Sequence, residues 1–334
     1  MYDRLVVEGL RAHGDEVQVL DPVDANATAA ACERADVLVG DALCVRELGP
    51  LFESVKRAGG PGVERDRDAA PRVLLVHHFP SWELERSDRE GLRGHEARAL
   101  AASDHVVATS AATRARLTGD CGGLPIDVVA PGADRLPRTS RSARGAGDAR
   151  VELLFVGSIV ARKRVSLLLD ALDALESLQA PRPGLTLLGD ADREPEHARA
   201  IAERIEASDG LRSSVTMGGV VGDEALARWL ARADALVLPS SLEGYGMVLT
   251  EALHAGLPVI AARPAASAAA IEGLDAVRVF DDARELAELL ARFVTDPAMR
   301  DAMLLAAATT PLPTWSGAVG AFRQSLARAR RSDP

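Results

Sequence analysis

Residues 235–262 read ALVLPSSLEGYGMVLTEALHAGLPVIAA. The segment opens on a continuous apolar run that ends at Pro239, as expected of a strand buried on both faces. A polar turn with two glycines follows, and then an apolar segment, Met247–Ala255, which Gly256 is placed to end. The pattern predicts a strand, a turn and a helix. The helix N-terminus would lie at the carboxyl end of a sheet, where open α/β sheets bind ligands.

Short runs rich in Val and Leu alternate with longer amphipathic segments along the rest of the chain. Such alternation predicts an α/β fold, in which doubly wound parallel sheets are covered by helices. We predict strands at Glu16–Leu20, Asp36–Val39, Val73–Val76, His105–Ala108, Ile126–Val129, Glu152–Val156, Leu185–Leu188, Ser214–Met217, Ala235–Leu238, Pro258–Ala261 and Val277–Phe280. The clearest helices are predicted at Ser166–Gln179, His197–Ala207, Asp223–Arg232 and Ala283–Val294.

The alternation breaks over Asp134–Arg150, which is rich in Arg, Ser and Gly and has no apolar period. We interpret it as an interdomain linker, with a phosphate contact as the alternative reading of its basic residues. A prior of about 150 residues per domain also favours two domains. The predicted boundaries are an N-terminal domain over 1–136, a linker over 137–150, a C-terminal domain over 151–309 and a closing helix over 310–334. Gly59–Arg72 is predicted to be a surface loop.

The N-terminal segment, Met1–Gly14, has the apolar spacing of an amphipathic helix and leads directly into the predicted strand Glu16–Leu20. In a doubly wound domain, a helix before a strand itself follows a strand. We therefore predict an N-terminal domain that lacks its first strand and the turn after it.

Composition indicates a globular protein and disfavours several functional classes. The chain has 334 residues, 47% hydrophobic and 26% charged, and its net charge of −10 argues against a nucleic-acid partner. Cys32, Cys44 and Cys121 lie far apart, which argues against a disulfide scaffold or a cysteine-rich zinc site and suits a reducing compartment. No signal peptide is predicted, and no apolar run approaches the roughly 18 residues of a membrane span. We expect a cytoplasmic protein.

Two carboxylates flank the glycine-containing turn. Glu243 precedes it, and Glu251 lies about one helical turn inside the predicted helix. A carboxylate accepts two hydrogen bonds at once, which matches the two cis hydroxyls of a ribose. The alternative is that Glu243 caps the helix and Glu251 is a solvated helix residue.

The segment PSSLEGYGMVLTEALHAGLPVIA, in which seven residues separate Glu243 from Glu251, resembles the signature of the family 4 retaining glycosyltransferases. The resemblance extends over Val151–Val279 and includes LLFVGSIVARKRVSLLLDAL, LTLLGDAD and VTMGGVVGDEALARWLARADALVLPS. It implies the GT-B architecture, two Rossmann-like domains that face a cleft. It also implies a nucleoside-diphosphate sugar as donor, a hydroxyl compound as acceptor, and neither a cofactor nor a metal. The Asp190–Asp192 pair is accordingly not expected to bind a cation.

The resemblance assigns roles to matching positions. Glu251 would bind the donor ribose, and Glu243 would lie near the donor sugar. Lys163 would stabilise the leaving diphosphate, and Arg162 is the candidate to replace an arginine of the family where this chain has Ser158. A solvated basic turn is the alternative for these cations. The turns that would contact the donor through their backbone contain Gly157, Gly189, Gly244, Tyr245, Gly246 and Met247.

In the first half, VLLVHHFP ends a predicted strand with two histidines. The family often has a histidine at this strand end, so His77 is the candidate near the reaction centre and His78 the alternate. A structural histidine that caps the strand is the other reading. Trp82, Glu83 and Glu85 are assigned to the acceptor side.

These features predict a metal-independent, retaining glycosyltransferase. The rivals are a degenerate GT-B homologue that binds nucleotide sugar or serves as a partner subunit, and a sugar-nucleotide epimerase. No Gly-x-Gly-x-x-Gly follows a first strand, which argues against a Rossmann oxidoreductase. A peripheral membrane contact stays open for lipid acceptors, and the sequence does not indicate an oligomeric state.

Overall fold

The computed structural model describes residues 1–21, 32, 34–56, 70–83, 89–138 and 150–331. The chain divides into two compact units. Unit 1 comprises Met1–Gly132 and Pro313–Pro334, and unit 2 comprises Ala133–Leu312. Three predicted features lie outside the described residues: residues 139–149 of the linker, residues 59–69 of the surface loop, and Glu85.

Unit 1 is built on a parallel sheet of four strands in the order β1-β2-β3-β4. The strands are β1 (Leu38–Asp41), β2 (Arg72–Val76), β3 (His105–Ala108) and β4 (Ile126–Val128). The helices are α1 (Tyr2–Ala12), α2 (Val45–Lys56), α3 (Arg89–Ala101), α4 (Ala111–Leu117) and the C-terminal helix (Trp315–Arg331). Short 3-10 turns occupy Ala42–Cys44 and Pro80–Trp82.

The strand predicted at Glu16–Leu20 is wrong. Residues 15–21 form no strand, because no described strand of unit 1 lies beside them to supply a hydrogen-bonded ladder. The carbonyl oxygen of Val17 instead accepts a hydrogen bond from Arg11 Nη2 at 2.7 Å. Within the described residues, the sheet begins at β1, which pairs with β2 in parallel.

Helices cover both faces of the sheet of unit 1. Leu74 and Val76 of β2 belong to a core that also contains Phe52 of α2 and Leu100 of α3. Successive residues of a strand point to opposite faces of the sheet. The β2 residue between Leu74 and Val76 therefore points to the other face. We place the C-terminal helix on that face, because it contacts β2 and β3. The C-terminal helix also packs along α1.

The amphipathic N-terminal helix is confirmed as α1. Tyr2, Val6 and Leu10 are buried at helical spacing on one side. Gly9 lets the C-terminal helix approach, because a Cβ atom at this position would lie 2.3 Å from Val319.

Unit 2 contains a parallel sheet of six strands in the order β10-β9-β8-β5-β6-β7. The strands are β5 (Glu152–Val156), β6 (Gly184–Leu188), β7 (Val215–Gly219), β8 (Ala235–Leu238), β9 (Val259–Ala262) and β10 (Val277–Phe280). The helices are α5 (Val165–Ser177), α6 (Pro195–Ala207), α7 (Asp209–Arg212), α8 (Asp223–Arg232), α9 (Met247–His254), α10 (Arg263–Ala268), α11 (Ala283–Thr295) and α12 (Pro297–Thr309).

The strand order of unit 2 is that of a doubly wound domain. The chain runs outward from β5 through β6 to β7, returns to β8 on the other side of β5, and continues outward to β10. Strands β6, β8 and β9 are buried along their whole length, as the continuous apolar runs predicted. The predicted α/β class with parallel sheets is confirmed, and the reversal between β5 and β8 fixes where a ligand site is expected.

None of the helices that the structure describes is both long and apolar enough to cross a membrane.

Candidate functional site

The candidate site of unit 2 lies at the carboxyl ends of β5 and β8, the two neighbouring strands at which the winding reverses. Residues 157–164 connect β5 to α5, and residues 239–246 connect β8 to α9. The two loops are joined directly. Ser241 N donates to the Arg162 carbonyl oxygen at 2.9 Å, and Arg164 Nε donates to the Pro239 carbonyl oxygen at 2.6 Å. The loops therefore form one surface at the edge where doubly wound sheets bind ligands.

Two helix N-termini open onto this surface. Neither α5 nor α9 has a side-chain cap or an acidic residue in its first turn. By contrast, α8 and α11 both carry acidic residues there. The first amide groups of a helix lack intrahelical partners and carry partial positive charge. With Arg162 and Lys163 on the same loop, this edge is suited to bind an anion such as a diphosphate.

Lys163 and Glu243, predicted from separate motifs, form a buried ion pair between Nζ and Oε1. Their side chains are 10% and 9% exposed. Arg162 Nη1 lies 3.8 Å from the other oxygen of Glu243 and donates to the Leu242 carbonyl oxygen at 3.1 Å. The reading of this loop as a solvated basic turn is wrong for Lys163. The reading of Glu243 as a helix cap is also wrong, because the N-cap of α9 is Gly246 and no side chain caps that helix.

Two glycines let the loops after β5 and β6 come into contact. Gly157 N donates to the Leu188 carbonyl oxygen at 2.8 Å, and Gly189 has a φ of 151°. A Cβ atom on Gly189 would lie 2.0 Å from the carbonyl oxygen of Gly157. Asp190 turns back on its own loop, since its Oδ1 accepts from the amide of Asp192 at 2.8 Å.

The turn before α9 combines a left-handed glycine with a buried tyrosine. Gly246 has a φ of 81°, a conformation that favours glycine. Tyr245 is buried, and burial raises the pKa of its phenol, although a hydrogen bond with Thr250 acts in the opposite direction. Met247 begins the helix. The proposed donor contacts of Gly244, Tyr245, Gly246 and Met247 through their backbone stay predictions.

Glu251 lies on α9 and is 4% exposed. It is therefore not a solvated helix residue. Its Oε1 accepts from Arg135 Nε at 2.6 Å and its Oε2 accepts from Arg135 Nη2 at 3.1 Å. Arg135 Nη1 also donates to Asp223 Oδ1 at 2.5 Å. Burial lowers the pKa of the Arg135 guanidinium, but the hydrogen bonds and charges of Glu251 and Asp223 outweigh burial and raise that pKa overall.

The sequence reasoning missed Arg135, Asp223 and Ser240. The Ser240 hydroxyl directly follows Pro239, is fully buried and has no hydrogen-bond partner among the described residues. Its position after a strand at the reversal point is a usable signal. No sequence signal pairs Arg135 with Glu251, because 116 positions separate the two residues.

His77, the remaining predicted site residue, belongs to unit 1 and follows β2. Its Nε2 lies 3.0 Å from Asp3 Oδ1 and 3.9 Å from Asp41 Oδ2, and Tyr2 contacts its ring edge-on at 5.1 Å. Burial, together with the nearby charge of Asp3, raises the pKa of Asp41. Asp3, Asp41 and His77 are the one group in the described part of the chain whose ligand atoms are close enough together to hold a metal ion. The histidine thus sits among acidic groups that the sequence analysis did not select.

The other residues predicted near His77 are engaged within unit 1. His78 Nε2 lies 2.8 Å from Glu83 Oε1. Trp82 stacks under the guanidinium of Arg116 at 4.3 Å and contacts Phe79 edge-on. The assignments of Trp82 and Glu83 to the acceptor side, and of His78 as the alternate to His77, stay predictions.

Comparison with known proteins shows which family unit 2, with the site at the ends of β5 and β8, resembles. Residues 150–296 match the sequence profile of the family described as Glycosyl transferases group 1. A D-inositol 3-phosphate glycosyltransferase of Segniliparus rotundus is 34% identical over 181 residues, which are 50% of this chain and 39% of that protein. The enzyme of the same name from Streptosporangium roseum is 28% identical over 253 residues, 71% of this chain and 56% of that protein. The chain spans about half the length of these curated relatives, or less.

Solved structures extend the likeness to the rest of the chain. Sucrose-phosphate synthase from Thermosynechococcus elongatus aligns with a TM-score of 0.72 at 20% identity, over 93% of this chain and 78% of that one. HepE from Anabaena, in complex with UDP and glucose, aligns with a TM-score of 0.69 at 19% identity, over 97% and 88%. At such identities the likeness concerns the fold, and it confirms the GT-B class. Residues 150–296 are thus similar to the glycosyl transferases group 1, in agreement with the resemblance to family 4 in the sequence.

Proposed function

We propose that this chain is a retaining glycosyltransferase that moves a sugar from a nucleoside-diphosphate donor to a hydroxyl acceptor without a metal ion. One observation carries the proposal. The reversal point of unit 2 combines two uncapped helix N-termini, the Lys163–Glu243 pair and a buried carboxylate, Glu251, on one edge of the sheet. Each component matches one part of a nucleotide sugar.

The diphosphate fits the cationic part of this edge. Negative charge builds up on the leaving diphosphate as the bond to the sugar breaks, and fixed positive groups stabilise that charge in the transition state. Lys163 and the amides at the start of α9 supply such groups, with Arg162 beside them. Since these groups are cationic and already in position, a metal ion is not required for this step.

The ribose fits Glu251. A carboxylate offers about four acceptor positions, so two remain after the two bonds from Arg135. The two ribose hydroxyls would donate to them. The Ser240 hydroxyl, buried and without a partner among the described residues, offers a further polar contact at the same edge.

Retention follows from attack on the same face of the sugar that the diphosphate leaves. The bond between the anomeric carbon and the diphosphate oxygen breaks. The acceptor hydroxyl oxygen bonds to that carbon, and its proton passes to the departing diphosphate oxygen. No protein nucleophile takes part. Glu243 is ion-paired to Lys163 and would orient that cation and the donor sugar.

The remaining assignments extend the proposal to the rest of the chain. For His77 we keep the role of a hydrogen-bond partner for a sugar hydroxyl. The family profile matches residues 150–296, on the donor side, so we carry over the donor chemistry and leave the acceptor as a hydroxyl compound. We also propose a reducing, cytoplasmic setting, which the three free cysteine thiols support.

Thermal unfolding in the presence of nucleotides tests the donor site. UDP, GDP, ADP and their glucose conjugates would be added with and without EDTA. A ligand that binds the native state alone raises the melting temperature by mass action. We expect one base to give a shift that EDTA leaves unchanged. Glu251→Gln should remove most of it, whereas Glu203→Gln, on an exposed side chain of α6, should not.

Product analysis separates the proposal from its rivals. Mass spectrometry of a turnover mixture should reveal free nucleoside diphosphate and a glycosylated acceptor. An isomerised nucleotide sugar would instead identify an epimerase. Binding without any turnover across acceptor classes would favour the degenerate homologue.

A further inference from the structure

Arg135 connects two elements of unit 2 that lie far apart in the chain. It lies near the start of unit 2, within the stretch Asp134–Arg150 that the sequence analysis interpreted as an interdomain linker. Its guanidinium contacts Glu251 on α9 through Nε and Nη2, and Asp223 at the start of α8 through Nη1. Three of its nitrogen atoms are thus bound to carboxylates of two different helices. Such a contact fixes all of these groups relative to one another.

The geometry of the contact with Glu251 is a two-bond fork. Two parallel N–H···O bonds hold a carboxylate in one plane and prevent its rotation, which a single bond from a lysine does not do. The Arg135 side chain is 6% exposed and that of Glu251 is 4% exposed, so water does not compete strongly for these bonds. Glu251 therefore presents its remaining acceptor positions in a fixed direction.

Stability alone is a weak reason for this pair. Burying two charges carries a large desolvation penalty, and replacing a buried ion pair with apolar residues is often neutral or stabilising. A buried pair at the edge of a ligand site has a different use, because it holds an acceptor in place before the ligand arrives. Bonds that are already oriented cost less entropy when the ligand binds.

Asp223 extends the same contact to the loop that follows β7. Asp223 is the first residue of α8, and residues 220–222 connect it to the end of β7. Its side chain is 54% exposed, so most of the holding force on Arg135 comes from the buried carboxylate of Glu251. Asp223 fixes the far end of the guanidinium and thereby the angle at which the fork meets Glu251.

We propose that Arg135 is a positioning residue that orients Glu251 toward the ribose hydroxyls of the donor and thereby makes the site selective for ribonucleotides. The proposal rests on the proposed donor site. It assigns to Arg135 no contact with the donor itself. Its effect is transmitted through the carboxylate, so it must depend on the presence of the ribose hydroxyls in the ligand.

The test compares each ribonucleotide with its 2′-deoxy counterpart. Affinities for UDP, GDP and ADP and for dUDP, dGDP and dADP are measured by calorimetry on the wild-type chain. A hydrogen bond from a hydroxyl to a charged carboxylate corresponds to roughly a tenfold preference or more. We expect that preference for the ribose form of the tightest-binding base.

Arg135→Lys is the decisive variant, because lysine keeps the charge but cannot form the fork. The ribose form should bind about tenfold more weakly, whereas the affinity for the deoxy form should change less than about threefold. The preference should therefore fall toward one. Arg135→Ala gives a second measurement if the lysine variant forms one bond to Glu251, and circular dichroism confirms folding of both.

Arg138→Ala is the matched control. Arg138 lies three positions further on, and its guanidinium donates to the backbone carbonyl of His254 at 2.8 Å, not to Glu251. The variant removes one cation from the same segment and should keep the wild-type preference for ribose.

Each other outcome overturns the proposal in a distinguishable way. An equal loss of affinity for both nucleotide forms would mean that Arg135 has a structural role. Tighter binding of the ribonucleotide by Arg135→Lys would mean that Arg135 competes with the ribose hydroxyls for Glu251. An unchanged preference in the variants removes any role in orientation. If the wild-type chain binds nucleotides without a ribose preference, the donor site stands but the ribose role of Glu251 fails. If it binds no nucleotide, the proposed function fails as well.

Discussion

A Cβ atom built on Gly189 would lie 2.0 Å from the carbonyl oxygen of Gly157 and 2.5 Å from its carbonyl carbon. Both contacts are with backbone, which cannot move aside as the end of a flexible side chain can. The φ of Gly189, 151°, is also one that residues with a side chain rarely adopt. The junction of the loops after β5 and β6 therefore requires glycine at this position.

Gly189→Ala should destabilise unit 2 and displace the cationic loop. We expect a loss of about 3 kcal/mol or more in the free energy of unfolding, from strain and overlap together. Nucleotide binding should weaken as well, because the loop that carries Lys163 begins at Gly157. Urea unfolding and calorimetry measure the two effects.

Gly94→Ala serves as its control. Gly94 lies inside α3 of unit 1, where an added Cβ would meet nothing within 4 Å. Alanine should leave nucleotide binding unchanged and raise stability by up to about 1 kcal/mol. Equal stability of Gly189→Ala and wild type would contradict the described loop junction.

At the scale of elements, one carboxylate of the sheet of unit 1 forms several hydrogen bonds with the C-terminal helix. Oδ2 of Asp127, on β4, accepts from Ser325 Oγ at 2.7 Å and from Arg328 Nη2 at 2.8 Å, and it lies 2.8 Å from His105 Nε2 of β3. Burial raises the pKa of Asp127, but these hydrogen bonds outweigh burial and hold that pKa below its usual value. The negative charge is therefore part of the attachment.

Asp127→Asn should weaken the attachment by about 2 kcal/mol, the usual value for hydrogen bonds to a charged group. The folded pKa lies below the unfolded value of about 3.9. The contribution of Asp127 is therefore complete above that value and is lost as the pH falls through the folded pKa. Urea unfolding from pH 7 to pH 3 should give a difference between wild type and variant that shrinks toward acid. Asp120→Asn, on an exposed side chain, should show no such difference at any pH.

Elements with a regular local pattern were predictable from the sequence, and elements that depend on a distant partner were not. Strands buried on both faces, such as β6 and β8, are continuous apolar runs, and helices between them carry regular apolar spacing, so both follow from local pattern. Glu16–Leu20 has a strand-like pattern but no neighbouring strand among the described residues, and a ladder partner is not a local property. The site follows the same division. Glu243, Glu251 and Lys163 belong to local motifs, whereas the bonds from Arg135 join distant segments and were not predictable.

At the scale of the whole molecule, each unit has a hydrophobic core of its own. The larger core lies within unit 2 and includes Phe155 of β5 and Leu236 of β8, and the smaller lies within unit 1 and includes Leu74 of β2 and Val106 of β3. A cooperative unfolding unit is defined by such a core. We therefore expect the two sheets to open separately in native-state hydrogen exchange.

Nucleotide should protect one of the two units. A ligand at 100 times its dissociation constant stabilises the state that binds it by about 2.7 kcal/mol, which slows exchange through opening about a hundredfold. If the donor site belongs to unit 2 alone, hydrogen exchange of the β5 and β8 amides should slow by that factor. The exchange rates of the β2 and β3 amides should stay the same.

Glu251→Gln at the same nucleotide concentration is the control. In this variant, the β5 and β8 amides should exchange at nearly the rates measured without ligand. Equal protection of both sheets would mean that the two units unfold as one, and protection confined to β2 and β3 would move the donor site to unit 1.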